Sequence, residues 1–358
     1  MKIGILTFHR AHNYGAVLQC YALQKTINGL GHKADVIDYR QPFIEYFYNL
    51  LSRKRIKGVR GLLGYIWHFP ERYRIVKRKG NIFNTFVKDN IILSKTCRAD
   101  NIQDDYDAIV IGSDQLWSKS CLGGKFDPVY WGDFPKKTTT RLVGYAISSN
   151  RESINDLCGH HLTKLNNFQN LSLREQYSID VLSQHTDKKL YHCIDPTLLT
   201  DSATWDSLVN EKYKSEKYVA LYQVRFPYGK EMLREKANAL ALKCGFRLID
   251  LSDVSYSVND FISIIKYAQC VVTSSFHATA FSIIFGTPLF AYRLNDGKDD
   301  RYTDLLNDLG MSDSVVDIKF IPSFIPKAQD KNDINERLKK YRKASIDFLQ
   351  RSFSEVKL

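Results

Sequence analysis

The chain has no run of about 18 apolar residues, the length a membrane-spanning helix requires. Its first residues lack the long apolar core and small-residue cleavage site of a secretory signal. Cysteine is sparse and unpatterned: Cys20, Cys97, Cys121, Cys158, Cys193, Cys244 and Cys270 are odd in number and never spaced C-x-x-C. That argues against a disulfide frame or a zinc site and fits reduced thiols in a cytoplasm. Neither the G-x-G-x-x-G dinucleotide fingerprint nor a P-loop occurs, and there is no internal repeat or low-complexity tract. His and carboxylate residues do not cluster at metal-ligand spacing, so neither a metal nor a cofactor is expected. These absences leave a soluble, cytoplasmic protein as the expectation.

What is present points to two domains. At 358 residues the chain exceeds one ordinary core, and roughly 150 residues per domain gives about two. Hydrophobic residues at 44% and charged residues at 25% exclude collagen-like, disordered and coiled-coil classes. Short apolar runs alternate with helical patterns, the signature of parallel α/β units. Strands are expected over 3–8, 34–39, 107–112, 142–147 and 171–174, with a helix over 16–30. The second half repeats the style, with strands over 218–224, 247–251, 270–273 and 288–292 and helices over 230–244, 261–268, 278–285 and 302–309. A long basic helix over 333–353 has the reach to return across the first domain. Asp195-Pro196-Thr197 reads as the crossing between domains. The division is thus an N-terminal Rossmann-like domain over 1–190 with a basic helical insert over 41–90, a C-terminal one over 191–330, and a terminal helix in 331–358. Doubly wound domains facing across a cleft bind ligands at the carboxyl ends of their strands.

Charge is unevenly spread. Of the net +12, three quarters lies between Arg53 and Gly80, where ten Lys and Arg residues accompany one acid, Glu71. Phe43, Tyr46, Phe47, Tyr65, Trp67 and Phe69 are interleaved with or precede these charges. Two readings are open for 53–79: it lies on an anionic membrane surface, or it is a solvated helical hairpin packed on its own domain. Nucleic acid is not expected as a partner, because no binding motif accompanies the charge.

Three strand ends carry candidate chemistry. In Phe8-His9-Arg10-Ala11-His12-Asn13-Tyr14-Gly15-Ala16, Asn13 reads as an N-cap and Gly15 lets backbone approach a ligand, so an anion can sit at the helix start. An ordinary strand-to-helix turn is the other reading. In Ile111-Gly112-Ser113-Asp114-Gln115-Leu116-Trp117, polar groups end a buried strand, and Asp114 either orients a sugar hydroxyl, acts as a base, or caps a helix. The third, Thr273-Ser274-Ser275-Phe276-His277-Ala278-Thr279, puts His277 in the first turn of a helix. A helix N-terminus disfavours the imidazolium, and its N–H groups with Ser274 and Ser275 can hold a phosphate. Arg301 and Arg225, near strand ends of the same half, can fork onto phosphate or carboxylate, with surface salt bridging as the alternative.

Taken in order, Lys2-Ile3-Gly4-Ile5-Leu6-Thr7, Asn13-Tyr14-Gly15-Ala16-Val17-Leu18-Gln19, Ile111 to Trp117, Ser172-Leu173-Arg174-Glu175, Asp195-Pro196-Thr197-Leu198-Leu199 and Ser275-Phe276-His277 resemble the polysaccharide pyruvyl transferase family, from residue 1 to about 310. The resemblance implies two Rossmann-like domains arranged as in GT-B glycosyltransferases, with phosphoenolpyruvate as donor substrate. The acceptor implied is a sugar of a cell-surface polysaccharide or its lipid-linked precursor, on which a ketal forms as phosphate leaves. It further implies His277 as acid or base, with Asp114 or the Asn13 loop holding the acceptor. Better-studied branches have Arg and Gly where Ser275 and Ala278 stand here, which transfers phosphate binding to Arg301 or Arg225. A GT-B glycosyltransferase using a nucleotide sugar, and a non-catalytic sugar-binding scaffold, are the alternatives.

Overall fold

The computed structural model describes residues 1–48, 58–102, 105–252, 255–328 and 330–354, with side chains from residue 73 onward in the long insert helix. The first half of the chain opens with β1 (Lys2–Leu6), α1 (Tyr14–Gly29) and β2 (Lys33–Val36). The insert follows as α2 (Pro42–Tyr48) and α3 (Gly58–Asn90), then β3 (Ala108–Asp114) and β4 (Arg141–Ile147). After short α4 (Arg151–Asn155) and α5 (Gly159–Thr163) come β5 (Asn170–Leu173), α6 (Gln176–Leu182) and β6 (Leu190–His192). These six strands form one parallel sheet in the order β2-β1-β3-β4-β5-β6. Parallel strands are covered on both faces, which is why Ala108 to Ile111 is an unbroken apolar run with no exposure.

The chain leaves this sheet after His192 and passes through a buried turn at Pro196 to Leu198. The second half runs α7 (Ser202–Asp206), β7 (Tyr218–Tyr222), α8 (Glu231–Lys243), β8 (Arg247–Asp250), α9 (Val258–Tyr267), β9 (Cys270–Thr273), α10 (Phe276–Phe285), β10 (Leu289–Arg293), α11 (Asp300–Asp308), β11 (Val315–Asp317) and α12 (Lys331–Phe353). Its five strands form a second parallel sheet, β11-β10-β9-β7-β8. Both domains are doubly wound, as their alternation of strand and helix requires. In each, the strand order reverses beside the first strand of the unit: between β1 and β3 in one, between β7 and β9 in the other. Those reversals open a crevice at the carboxyl ends of the strands, and each crevice is closed below by the start of a helix, α1 or α10.

The two halves are joined by apolar packing. Tyr14 stacks on Phe261 of α9 at 4.5 Å between ring centroids, and its hydroxyl donates to the Tyr256 carbonyl at 2.7 Å. Trp205 meets Phe281 edge-on at 4.8 Å. Helix α12 touches the first sheet: Ser345 Oγ accepts from the Ile194 N–H at 3.1 Å, and Phe348 packs against Tyr191 and Tyr145. It also touches the second half, where Arg337 donates to the Leu309 carbonyl at 2.7 Å.

Beyond the basic stretch, α3 buries Phe83, Phe86 and Val87, whereas within the stretch the described side chains of Tyr73, Arg74, Ile75, Lys77 and Arg78 are exposed. Arg53, Lys54, Arg55 and Lys57 lie outside the described residues. No helix among the described residues is long and apolar enough to cross a membrane.

A buried charge network sets the loop that leads to α1. Arg10 donates through Nε and Nη2 to the two oxygens of Asp38, each at 2.8 Å, while His9 Nε2 lies 2.9 Å from Asp38 and Thr96 donates at 2.6 Å. Burial alone would raise the Asp38 carboxyl, but these hydrogen bonds hold it well below the usual carboxylate range.

Candidate active site

The two crevices face each other and merge into a cleft of about 350 Å³. Phe8, Asn13 and Ala16 line it from the β1–α1 connection, and Asp114, Gln115 and Cys121 from the segment after β3. Phe43, Ile44, Phe47 and Tyr48 of α2 supply an aromatic wall. The second domain contributes Val224, Arg225, Ser275, Phe276, His277, Lys298 and Arg301. Asp114 sits at φ 78°, a left-handed conformation that Asp tolerates better than most residues, and its Oδ1 accepts from the Gln115 N–H at 2.8 Å. The loop behind it is braced by Trp117, fully buried and stacked on Trp131 at 4.1 Å, with its indole N–H donating to the Tyr130 carbonyl.

At the base of the cleft the starts of α1 and α10 meet. Asn13 caps α1 through Ala16 N–H, whereas Ser275, the N-cap of α10, makes no side-chain cap to the first-turn N–H groups. The His277 ring lies directly on Gly15: a Cβ built there would overlap Nδ1 and Cγ of the imidazole. Across the ring, the carboxylate of Asp195 stands 3.7 Å from Nε2, an ion-pair separation rather than a hydrogen bond. Asp195 is fully buried and central to a network. It receives Arg174 Nη1 at 2.7 Å, the Thr197 N–H at 3.0 Å and the Thr197 hydroxyl at 2.7 Å. Arg174 in turn donates to Glu175 at 3.0 Å and to Ser148 Oγ at 2.7 Å, and its guanidinium covers the Phe276 ring at 4.4 Å. Burial would raise the Asp195 carboxyl; His277, Arg174 and the Thr197 N–H together hold it well below the carboxylate range.

Arg301 differs from Arg225 on the same wall, whose guanidinium meets two carboxylates. Its Nε is buried without a hydrogen-bond partner, and no carboxylate pairs with it among the described residues. Burial, followed by the positive charge of Arg174, lowers its pKa from the usual guanidinium value. An anion in the cleft would relieve both effects.

A model of the family described as polysaccharide pyruvyl transferase matches residues 13–296, most of the chain. The chain belongs to the polysaccharide pyruvyl transferase family. No curated protein matches it closely enough to count as a relative. Among solved structures it is similar to a putative UDP-N-acetylglucosamine 2-epimerase from Listeria monocytogenes, with 10% identity, 100% of this chain and 98% of that one covered, and a TM-score of 0.45. A second is the Methanocaldococcus jannaschii UDP-GlcNAc 2-epimerase in complex with UDP-GlcNAc and UDP, with 12% identity, 98% and 99% coverage, and a TM-score of 0.45. A third is the E. coli heptosyltransferase WaaC with ADP, with 11% identity, 95% and 100% coverage, and a TM-score of 0.36.

In this pyruvyl transferase family member the structure gathers Asn13, Asp114, Ser275, Arg225, Arg301 and His277 around one cleft and places Gly15 against His277. Two of the expected site residues, Ser113 and Tyr14, are engaged elsewhere. The Ser113 hydroxyl donates to the Ala146 carbonyl at 3.0 Å inside the first domain, and Tyr14 is a strut between domains. Ser274 Oγ is buried beneath the helix start without a hydrogen-bond partner. Arg225 lines the cleft, but its guanidinium is committed to Asp296 and to Asp299, the latter at 2.8 Å, so salt bridging wins there. Asp195, beside the His277 ring, is a carboxylate that strand-and-loop reading did not assign to the site. Arg174, Glu175 and Asp195 entered the sequence reading only as residues of segments carrying the family resemblance and, for Asp195, as part of the crossing between domains. Cys121 joins the wall too, its thiol raised by burial.

Gly15 carries a direct prediction. Gly15→Ala should displace the imidazole, seen as shifted His277 ring resonances by NMR and a lowered Tm, although Gly to Ala inside a helix otherwise stabilises by about 1 kcal/mol. Gly29→Ala, where a Cβ meets nothing within 4 Å, should leave the ring resonances unchanged. Identical ring resonances in wild type and Gly15→Ala would contradict the contact.

Proposed function

We propose that the cleft binds phosphoenolpyruvate and transfers its pyruvyl group to two hydroxyls of a sugar in a cell-surface polysaccharide or its lipid-linked precursor, forming a cyclic ketal and releasing phosphate. The observation that carries this reading is Arg301, a half-buried cation whose Nε has no hydrogen-bond partner and which no carboxylate pairs with among the described residues, beside two converging helix N-termini. Phosphoenolpyruvate brings a phosphate and a carboxylate, one for each kind of anion-binding group: guanidinium and helix N–H. Lys298, on the same wall, adds a further charge for the donor.

In the proposed steps His277, as imidazolium, gives a proton to the methylene carbon of the donor. An oxocarbenium-like centre forms at the adjacent carbon, and a sugar hydroxyl adds to it, its proton returning to the imidazole. The carbon–oxygen bond to phosphate then breaks, and the second hydroxyl closes the ring, its proton leaving with phosphate. Asp195, across the ring, orients the imidazole, as the carboxylate does in a triad. Asp114 and Asn13, from the facing domain, hold the acceptor hydroxyls. Phosphoenolpyruvate is a substrate, and no separate cofactor or metal enters these steps.

The exposed Arg74, Lys77 and Arg78 support docking of the insert on an anionic membrane surface at its cytoplasmic side, where a lipid-linked acceptor would be presented. Each such residue adds about 1 kcal/mol of attraction near the surface.

Phosphoenolpyruvate should raise the Tm of the wild-type protein, and phosphate release should appear with a matching acceptor glycan. His277→Ala should lower that turnover by about 10²- to 10⁴-fold with its circular dichroism unchanged. Wild-type turnover in His277→Ala, or a thermal shift with nucleotide sugars alone, would refute the proposal. In vesicle co-sedimentation, replacing Arg74, Lys77 and Arg78 by Glu should weaken binding to anionic liposomes; unchanged binding would count against membrane docking.

A further inference from the structure

The aromatic wall of the cleft has a construction of its own. Phe43 and Phe47 are four residues apart on α2, so the helix sets both rings on one side, 5.7 Å apart between centroids. Both line the cleft that also holds Asp114 and Gln115. The helix is anchored beneath them. Ile44 is buried, and its N–H donates to the Gln41 side chain at 2.7 Å. Phe43 lies against Gly123, where an added Cβ would come within 2.5 Å of the ring, at a φ of +77° that suits glycine. Tyr48, the next ring, packs on His12 at 4.3 Å. Phe47 remains 48% exposed in this setting, a large apolar ring at a cleft mouth rather than in a core.

We infer that Phe43 and Phe47 form a stacking shelf for the pyranose ring of the acceptor, with Asp114 reading its hydroxyls at the edge. A pyranose presents a face of C–H groups, which packs on an aromatic ring, and a rim of hydroxyls, which donate to carboxylates. The cleft offers those two surfaces side by side. The ring-bearing α2 comes from the first domain and unpaired Arg301 from the second, so the shelf separates the acceptor from the anion end of the cleft. Asp114 favours a neutral polyol at the shelf over a second phosphate-bearing ligand, because a carboxylate accepts from hydroxyls and repels phosphate. Phe47 is thus a recognition residue, and it takes no part in the proton transfers.

The inference rests on the proposed transfer to a sugar, and it is tested without donor so that the two can fail separately. Saturation-transfer difference NMR on the full chain would use methyl β-D-glucopyranoside and methyl β-D-galactopyranoside as probes, with uridine and sorbitol as comparisons. At least one pyranoside should receive saturation at its ring C–H protons. Phe47→Ala should weaken its Kd about tenfold and Phe47→Tyr should restore it to about twofold of wild type. With phosphoenolpyruvate added, Phe47→Ala should raise acceptor KM while kcat for phosphate release is retained. Absence of pyranoside binding by the wild type, an equal Kd in Phe47→Ala, or Phe47-dependent binding of uridine in preference to the sugars would each overturn the shelf. Failure of the transfer reading would instead show as pyranoside binding with no phosphate release.

Discussion

One contact across the domain boundary organises the molecule: the His277 imidazole resting on the bare Cα of Gly15. It requires that α1 and α10 begin at the same point in space, which in turn requires both sheets to reverse their strand order facing each other. Any residue with a side chain at position 15 would push the domains or the ring apart. From this contact follow the location of the cleft, the convergence of two positive helix ends, and the placement of Asp195 on the far side of the ring.

The electrostatics of the site are a balance of paired and unpaired charge. Arg174 is enclosed by Glu175 and Asp195, and Arg225 by Asp296 and Asp299, so the charge of each is matched by carboxylates of the protein itself. Arg301 is not. A half-buried cation left in that state costs stability, and proteins keep such groups where a ligand completes them. The Asp38 network nearby shows the opposite arrangement, in which His9, Arg10 and Thr96 saturate a single carboxylate and fix the loop ahead of α1.

Much of the fold was legible because parallel strands buried on both faces leave unbroken apolar runs, as in Ala-Ile-Val-Ile at 108–111. The strands that sequence reading missed, β6 (Leu190–His192) and β11 (Val315–Asp317), are three residues long, lie at sheet edges and are part-exposed, so they carry no such run. At the site, His277, Asp114 and Arg301 announced themselves as polar residues after apolar strands. Asp195 did not, because its partners Arg174 and His277 are distant in sequence and only folding brings them together. Gly15 was legible as a point of close backbone approach, but that the approaching group is the protein's own imidazole depends on domain packing. Arg225 and Arg301 look alike in sequence; what separates them is the presence of Asp296 and Asp299 beside one and not the other.

The central claim, that Arg301 is held unpaired for an anionic donor, has a direct test in the Arg301→Met variant. Titration calorimetry with phosphoenolpyruvate, together with the Tm of the ligand-free protein, reads both halves of it. The account predicts that affinity falls by roughly 10- to 100-fold, the worth of a charged hydrogen bond, while the ligand-free Tm holds or rises because a half-buried unmatched charge is gone. Unchanged affinity for phosphoenolpyruvate in that variant would contradict the account.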